Sequence, residues 1–210
     1  GTDNIDIVIN ELDALANINL ETRDENPLKR QLHFIRIGTC GILQPSVPVH
    51  SFILSQYAFG LDNVAHFYEI PFSKEEEDIC EKLTAHIELP TKIQPYLIKA
   101  STELVEKLNS EQTVRGITVT SSGFYGPQGR QLLLQTKTQQ LNERLTSFDG
   151  ADFKVTNFEM ESSALFALGR TLGHQCATIC LGIANRPNME FSKGYDKEMN
   201  ELIGYVLERI

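Results

Sequence analysis

The segment Cys176–Ala184 is almost wholly apolar, and it constrains the fold of this chain more than any other stretch. A run of this length, with apolar residues at both odd and even positions, is typical of a strand buried on both faces. Such a strand needs a layer of structure on each side of its sheet. The segment therefore favours a layered α/β protein.

Other strands and helices alternate along the chain. The patterns predict helices over 5–15, 101–108, 162–172 and 197–209, a weaker helix over 132–145, and strands over 33–41, 51–59, 116–120, 153–158 and 176–184. Strands that alternate with helices indicate an α/β three-layer sandwich with a mixed, largely parallel central sheet. We expect residues 1–210 to form a single domain.

The composition excludes several classes of function. The net charge of −9 argues against duplex nucleic acid as a partner, because such binders carry basic stripes that displace counterions. Apolar segments are broken by charges well before the ~20 residues of a membrane span, so we expect no membrane partner. The four cysteines lack metal or redox spacing, which indicates reduced thiols, a cytoplasmic location and no metal site.

Polar clusters interrupt the apolar pattern where predicted strands end. These clusters are Arg36–Gly41, Gly123–Arg130, Asn157–Glu161 and Asn185–Arg186. Ligands of open α/β sheets bind at the carboxyl ends of the strands, so we expect all four clusters to line one crevice.

The first cluster places a charge inside an apolar strand. An unpaired Arg36 would be costly there, so it either forms a structural salt bridge or binds an anion. Arginine offers bidentate donors to a phosphate, and the glycines beside Thr39 would let backbone amides approach the same oxygens. Both interpretations stay open at this point.

Two other clusters suit the parts of a nucleoside. Phe124, Gln128 and Arg130 supply an aromatic face, an amide and a cation, which a flat polar ring such as a nucleobase needs. Glu159 and Glu161 lie two positions apart at a strand end, where they could accept hydrogen bonds from a sugar diol or simply face solvent.

These segments together resemble the signature segments of nucleoside phosphorylases of the uridine phosphorylase type. The matching stretches are Arg36-Ile-Gly-Thr-Cys-Gly, Gly123-Phe-Tyr-Gly-Pro-Gln-Gly-Arg130, Asn157-Phe-Glu-Met-Glu-Ser162 and Ile183-Ala-Asn-Arg186. The resemblance implies phosphorolysis of uridine to uracil and ribose 1-phosphate, with phosphate as a co-substrate and no cofactor or metal. It also implies a homo-oligomer, either a dimer or a hexamer of dimers, and a domain that lacks the N-terminal strands of the family.

The same resemblance implies a role for each site residue. It assigns phosphate to Arg36 and Thr39; the base to Phe124, Gln128, Arg130, Gly41 and Ile183; the ribose to Met160, Glu161 and Glu159; and catalysis to Arg130, Arg186 and Glu161.

Three alternatives remain beside uridine phosphorolysis. One is a nucleoside phosphorylase of purine or broad specificity, and another is a hydrolytic nucleosidase of the same fold. The third is a non-catalytic nucleoside-binding protein, because the phosphate loop of the family is missing from this sequence.

Overall fold

A computed structural model describes all of residues 1–210, with six α-helices and seven β-strands. The helices are α1 (Thr2–Asn17), α2 (Lys74–Ile87), α3 (Thr102–Leu108), α4 (Leu141–Ser147), α5 (Ser162–Thr171) and α6 (Asp196–Leu207). The strands are β1 (His33–Ile42), β2 (Phe52–Gly60), β3 (Tyr96–Lys99), β4 (Thr113–Thr120), β5 (Val155–Glu159), β6 (Gln175–Asn185) and β7 (Glu190–Phe191).

The strands form one mixed sheet in the order β3-β2-β4-β5-β1-β6-β7. Strand pairs β1–β6, β2–β4 and β4–β5 are parallel, and the first two of these have the longest registers. Strand β2 also pairs with β6 in the antiparallel sense, so that β2, β4, β5, β1 and β6 close into a ring.

Three β-bulges accompany this closure. One residue in each of three strands has no partner across its parallel pairing: Gln56 in β2, Thr156 in β5 and Ile183 in β6. A bulge bends its strand and increases the local twist, which helps a sheet to curl. The bulge at Ile183 lies directly before the predicted Asn185-Arg186 cluster.

Helices cover both faces of the sheet. The largest apolar cluster joins the sheet to α1, α3, α5 and α6, and a second cluster joins it to α2 and α4. A third, small cluster links β1, β2 and β6 through Cys40, Ile42, Val47, Ile53 and Cys180. The predicted α/β sandwich with a mixed, largely parallel sheet is therefore confirmed.

Some local predictions were wrong. The stretch 132–145 is helical only from Leu141, and Leu132, Leu133 and Leu134 are exposed in an irregular segment. The short strands β3 and β7 were not predicted. No helix combines the length and the apolar character that crossing a membrane requires.

Candidate active site

Arg36 lies on β1 and faces two carboxylates. Its Nη1 lies 3.4 Å from Glu159 Oε2, and its Nη2 donates to Glu161 Oε2. Strand β5 ends at Glu159, and Glu161 is the N-cap residue of α5. The two carboxylates therefore converge on one guanidinium although only the first belongs to a strand. The salt bridge that the sequence left open for Arg36 is present.

The Glu159 carboxylate is fully engaged inside the protein. It accepts hydrogen bonds from the Thr120 hydroxyl at 2.5 Å and from the backbone N–H groups of Glu161 and Ser162, each at 2.9 Å. The two N–H groups lie at the start of α5, where a helix offers them no partner of its own. A carboxylate near a helix N-terminus is favourable, so Glu159 stabilises this end of α5.

Two further groups hold the Arg36 guanidinium in place. Its Nη1 donates to Cys180 Sγ at 3.3 Å, and a Cβ on Gly38 would lie only 2.6 Å from the same Nη1. Burial by itself would lower the pKa of Arg36, but the neighbouring Cys180, Glu159 and Glu161 groups raise that pKa above its ordinary value. Arg36 is therefore a permanently charged, tightly seated cation.

Arg186 follows β6 and is held by a different set of contacts. Its Nη2 donates to Gln128 Oε1, and its Nη1 donates to the Gln128 backbone carbonyl at 3.1 Å and to Asn142 Oδ1 at 3.4 Å. The guanidinium lies 4.5 Å from the ring centre of Phe158, which is a cation–π distance. These contacts bring Gln128 and Arg186, which the sequence analysis predicted, to the same place.

The backbone around Arg186 is set by β1 and by the β6 bulge. The Arg186 N–H donates to the Ile42 carbonyl at 3.0 Å. Because of the bulge, Gly41 pairs with Ala184 rather than with Ile183. Gly41 has no side chain, and this leaves room for the Arg186 guanidinium.

Arg130 lies in the loop after β4, close to Arg186. Its guanidinium covers the Phe124 ring at 4.0 Å from the ring centre. Phe124 is 51% exposed and makes an edge-to-face contact with Tyr125 at 5.3 Å. In this structure the Arg130 guanidinium therefore covers the Phe124 ring, which the sequence analysis predicted to contact the base.

Neither Arg130 nor Arg186 has a carboxylate within 4.0 Å, although the chain carries a net charge of −9. Burial lowers the pKa of Arg130. Burial, together with the nearby Arg130 cation, also lowers the pKa of Arg186. Two cations that are partly desolvated and lack counter-ions favour a ligand that carries or develops negative charge.

The remaining predicted residues lie along the same elements. Thr39 is on β1 between Arg36 and Gly41, and Met160 lies between the two carboxylates at the half-buried turn from β5 to α5. The site also contains residues that the sequence did not single out, namely Asn142, Phe158, Thr120 and Cys180. Asn142 gave no signal because it lies in a Gln-rich stretch, and Phe158 and Cys180 read as ordinary core residues.

A large cavity adjoins this site without containing its centre. It has a volume of about 1000 Å³ and is mostly apolar, with Arg130 and Tyr125 on the wall nearest the site. Neither Arg36 nor Arg186 lines it. No cluster of three or more histidine, cysteine or acidic side chains could hold a metal ion, and all four cysteines are free thiols.

Comparisons with known proteins identify relatives of this chain. The chain is 29% identical over 171 residues to a uridine phosphorylase of Thermococcus kodakarensis, covering 79% of this chain and 53% of the relative. It is 28% identical over 158 residues to a uridine phosphorylase of Haemophilus influenzae, covering 75% and 55%. The chain therefore spans about half the length of the curated relatives it matches.

A solved structure supports the same placement. The chain superposes with a TM-score of 0.85 on a nucleoside phosphorylase of Trypanosoma brucei that shows uridine phosphorylase activity. The two are 27% identical, and the match covers 99% of this chain and 75% of the other. A family model described as the phosphorylase superfamily matches residues 1–208. This chain belongs to the phosphorylase superfamily.

Proposed function

We propose that this chain carries the nucleoside site of a phosphorylase that cleaves uridine with inorganic phosphate, giving uracil and ribose 1-phosphate. In this proposal it works as one domain within a cytoplasmic homo-oligomer, either a dimer or a hexamer of dimers. The observation that carries the proposal is the pair of neighbouring cations, Arg130 and Arg186, neither of which has a carboxylate partner; Gln128 holds Arg186.

The pair suits the leaving group of this reaction. As the glycosidic bond loosens, uracil gains negative charge, and preorganised cations in a site of low dielectric lower the free energy of that charge. Gln128 Oε1 already accepts from Arg186, so the Gln128 amide NH₂ is left to donate to a carbonyl of the base. Phe124 would contact the base from the exposed side of the loop, with Gly41 and Ile183 forming the wall at the β6 bulge.

The other half of the site suits phosphate and ribose. Arg36 and Thr39 would bind the phosphate that attacks the anomeric carbon, and Met160 and Glu161 would hold the sugar. Glu159 would hold these ribose-binding residues in position, because its carboxylate already accepts hydrogen bonds from backbone N–H groups at the N-terminus of α5. Catalysis in this scheme is positioning combined with electrostatic stabilisation.

The residues favour pyrimidine phosphorolysis over the alternatives. Gln128 and Arg130 match the edge of uracil, and Arg36 gives phosphate, rather than water, a cation to bind. One observation favours a second candidate, nucleoside binding without turnover. Glu159 and Glu161 already neutralise Arg36, so protein carboxylates occupy the place that the proposal gives to phosphate.

The test is phosphate-dependent loss of uridine absorbance by the purified chain, with its intact mass checked beforehand and inosine as the control substrate. Uracil release that requires phosphate and falls by about 10²–10³ in Arg130→Ala would support the proposal. Equal cleavage without phosphate would favour a nucleosidase, and faster cleavage of inosine would favour a purine or broad-specificity enzyme. Uracil binding by calorimetry without turnover would favour the binding protein.

A further inference from the structure

The two carboxylates that face Arg36 are held very differently. Glu159 has a side chain only 1% exposed, and its oxygens accept from a hydroxyl and two backbone N–H groups as well as facing Arg36. Glu161 is 21% exposed, and its oxygens accept hydrogen bonds from Arg36 and from the Gly1 nitrogen at 2.8 Å, with no other donor. Glu159 is therefore a fixed counter-ion of Arg36, whereas Glu161 is an exchangeable one.

This asymmetry decides which partner an incoming anion can replace. Displacing Glu159 would leave a carboxylate buried without its cation and would disturb the start of α5, which is strongly unfavourable. Displacing Glu161 leaves a carboxylate that is partly exposed, where water can solvate it. An oxyanion that binds Arg36 therefore takes the place of Glu161.

We propose that inorganic phosphate displaces Glu161 from Arg36, and that the released carboxylate then accepts hydrogen bonds from the ribose hydroxyls, so that phosphate strengthens nucleoside binding. The inference rests on the proposed function and adds to it an order of events within the same site. Without phosphate, the ribose hydroxyls must compete with a guanidinium for Glu161. With phosphate bound, that competitor is removed.

Linkage makes the effect reciprocal. If phosphate raises the affinity for uridine by some factor, uridine raises the affinity for phosphate by the same factor, and couplings of this kind are typically about 5–150-fold. Uracil has no ribose and does not use Glu161, so its affinity should not depend on the anion. This difference between uridine and uracil separates the exchange from a general effect of salt.

The experiment uses sulfate, a tetrahedral oxyanion that cannot cleave the nucleoside. Sulfate binding is measured by calorimetry on the purified chain, on Glu161→Gln and on Glu106→Gln. Glu106 pairs with Arg115 at 3.4 Å on the surface, so it is a matched control for removing a carboxylate next to an arginine. Each titration is repeated with acetylated Gly1, because a free amino group beside Glu161 could itself attract sulfate.

If the exchange occurs, Glu161→Gln should bind sulfate at least about fivefold more tightly than the unsubstituted chain, and Glu106→Gln should bind it with unchanged affinity. It also predicts that the ¹³C resonance of the Glu161 carboxyl group, assigned from its absence in Glu161→Gln, moves as sulfate binds. Saturating sulfate should tighten uridine binding about fivefold or more and leave uracil binding unchanged.

Several results would overturn the inference. These are an absence of sulfate binding, a Glu161 resonance that stays fixed while sulfate binds, or equal gains for uridine and uracil. Uridine binding that sulfate leaves unchanged would also overturn it while sparing the proposed function. Sulfate exchange without uridine binding at any sulfate concentration would instead count against the proposed function.

Discussion

Gly41 and Arg186 are packed so closely that no side chain fits between them. A Cβ on Gly41 would lie 2.8 Å from Arg186 Nε, which is shorter than real Cβ contacts allow. The glycine has an ordinary strand position in β1, so its role here is to provide space rather than backbone freedom. The position of the Arg186 guanidinium thus depends on a residue that is distant in the sequence.

Replacing Gly41 by alanine should displace Arg186 from Gln128. We expect kcat for the proposed uridine phosphorolysis to fall by about tenfold or more, because small displacements of groups that position the reactants are costly in rate. Gly204→Ala is the matched control, since nothing lies within 4 Å of a Cβ there. It should keep full activity and gain about 0.5–1 kcal/mol of stability from the better helix former. Full activity in Gly41→Ala would show that Arg186 needs no such clearance.

Arg186→Lys should also lower kcat strongly, by about 10²–10³. Lysine keeps the charge but cannot make the forked contacts to the Gln128 carbonyl and side chain together with the Phe158 stack. Arg115→Lys, at an arginine that pairs with an exposed glutamate, is the control and should leave kcat unchanged. Steady-state kinetics on both variants would decide, and a fully active Arg186→Lys would mean that charge alone suffices.

Much of this fold could be predicted from the sequence because its strongest signals are local. The apolar run of β6 and the periodicity of α5 and α6 each reflect burial of one element against a sheet, and all three lie where predicted. The sequence predicted only that four polar clusters at strand ends line one crevice. The structure joins two of these clusters at Arg36 and Glu161 and the other two at Gln128 and Arg186.

The remainder depends on contacts that no local pattern encodes. The antiparallel pairing of β2 with β6 closes the ring between strands that are distant in sequence. The helix predicted over 132–145 is absent over 132–140, where three leucines find no sheet to pack against and stay exposed. Asn142 enters the site only because α4 packs beside the loop that carries Gln128, which no spacing in the sequence indicates.

Glu159→Gln separates a structural role from a sugar-binding one. The amide group would turn donors toward the N–H groups of Glu161 and Ser162 or lose the Thr120 contact, so we expect a loss of about 1–3 kcal/mol in unfolding free energy. Urea denaturation measures this loss, with Glu106→Gln as an exposed control that should change stability by less than about 0.5 kcal/mol. Unchanged stability combined with weaker uridine binding would instead make Glu159 a direct ribose ligand.

Glu76, far from the site, should make stability depend on pH. Burial alone would raise its pKa, but hydrogen bonds from Arg170 and from the Ser73 and Lys99 backbone lower it. A lowered pKa stabilises the fold above the unfolded value of about 4.3, and the effect fades as pH falls below it. Glu76→Gln should therefore cost about 2 kcal/mol at pH 7, with a smaller difference from wild type at pH 4. Urea denaturation at both pH values measures this, and a difference independent of pH would mean that Glu76 is not held as a carboxylate by these partners.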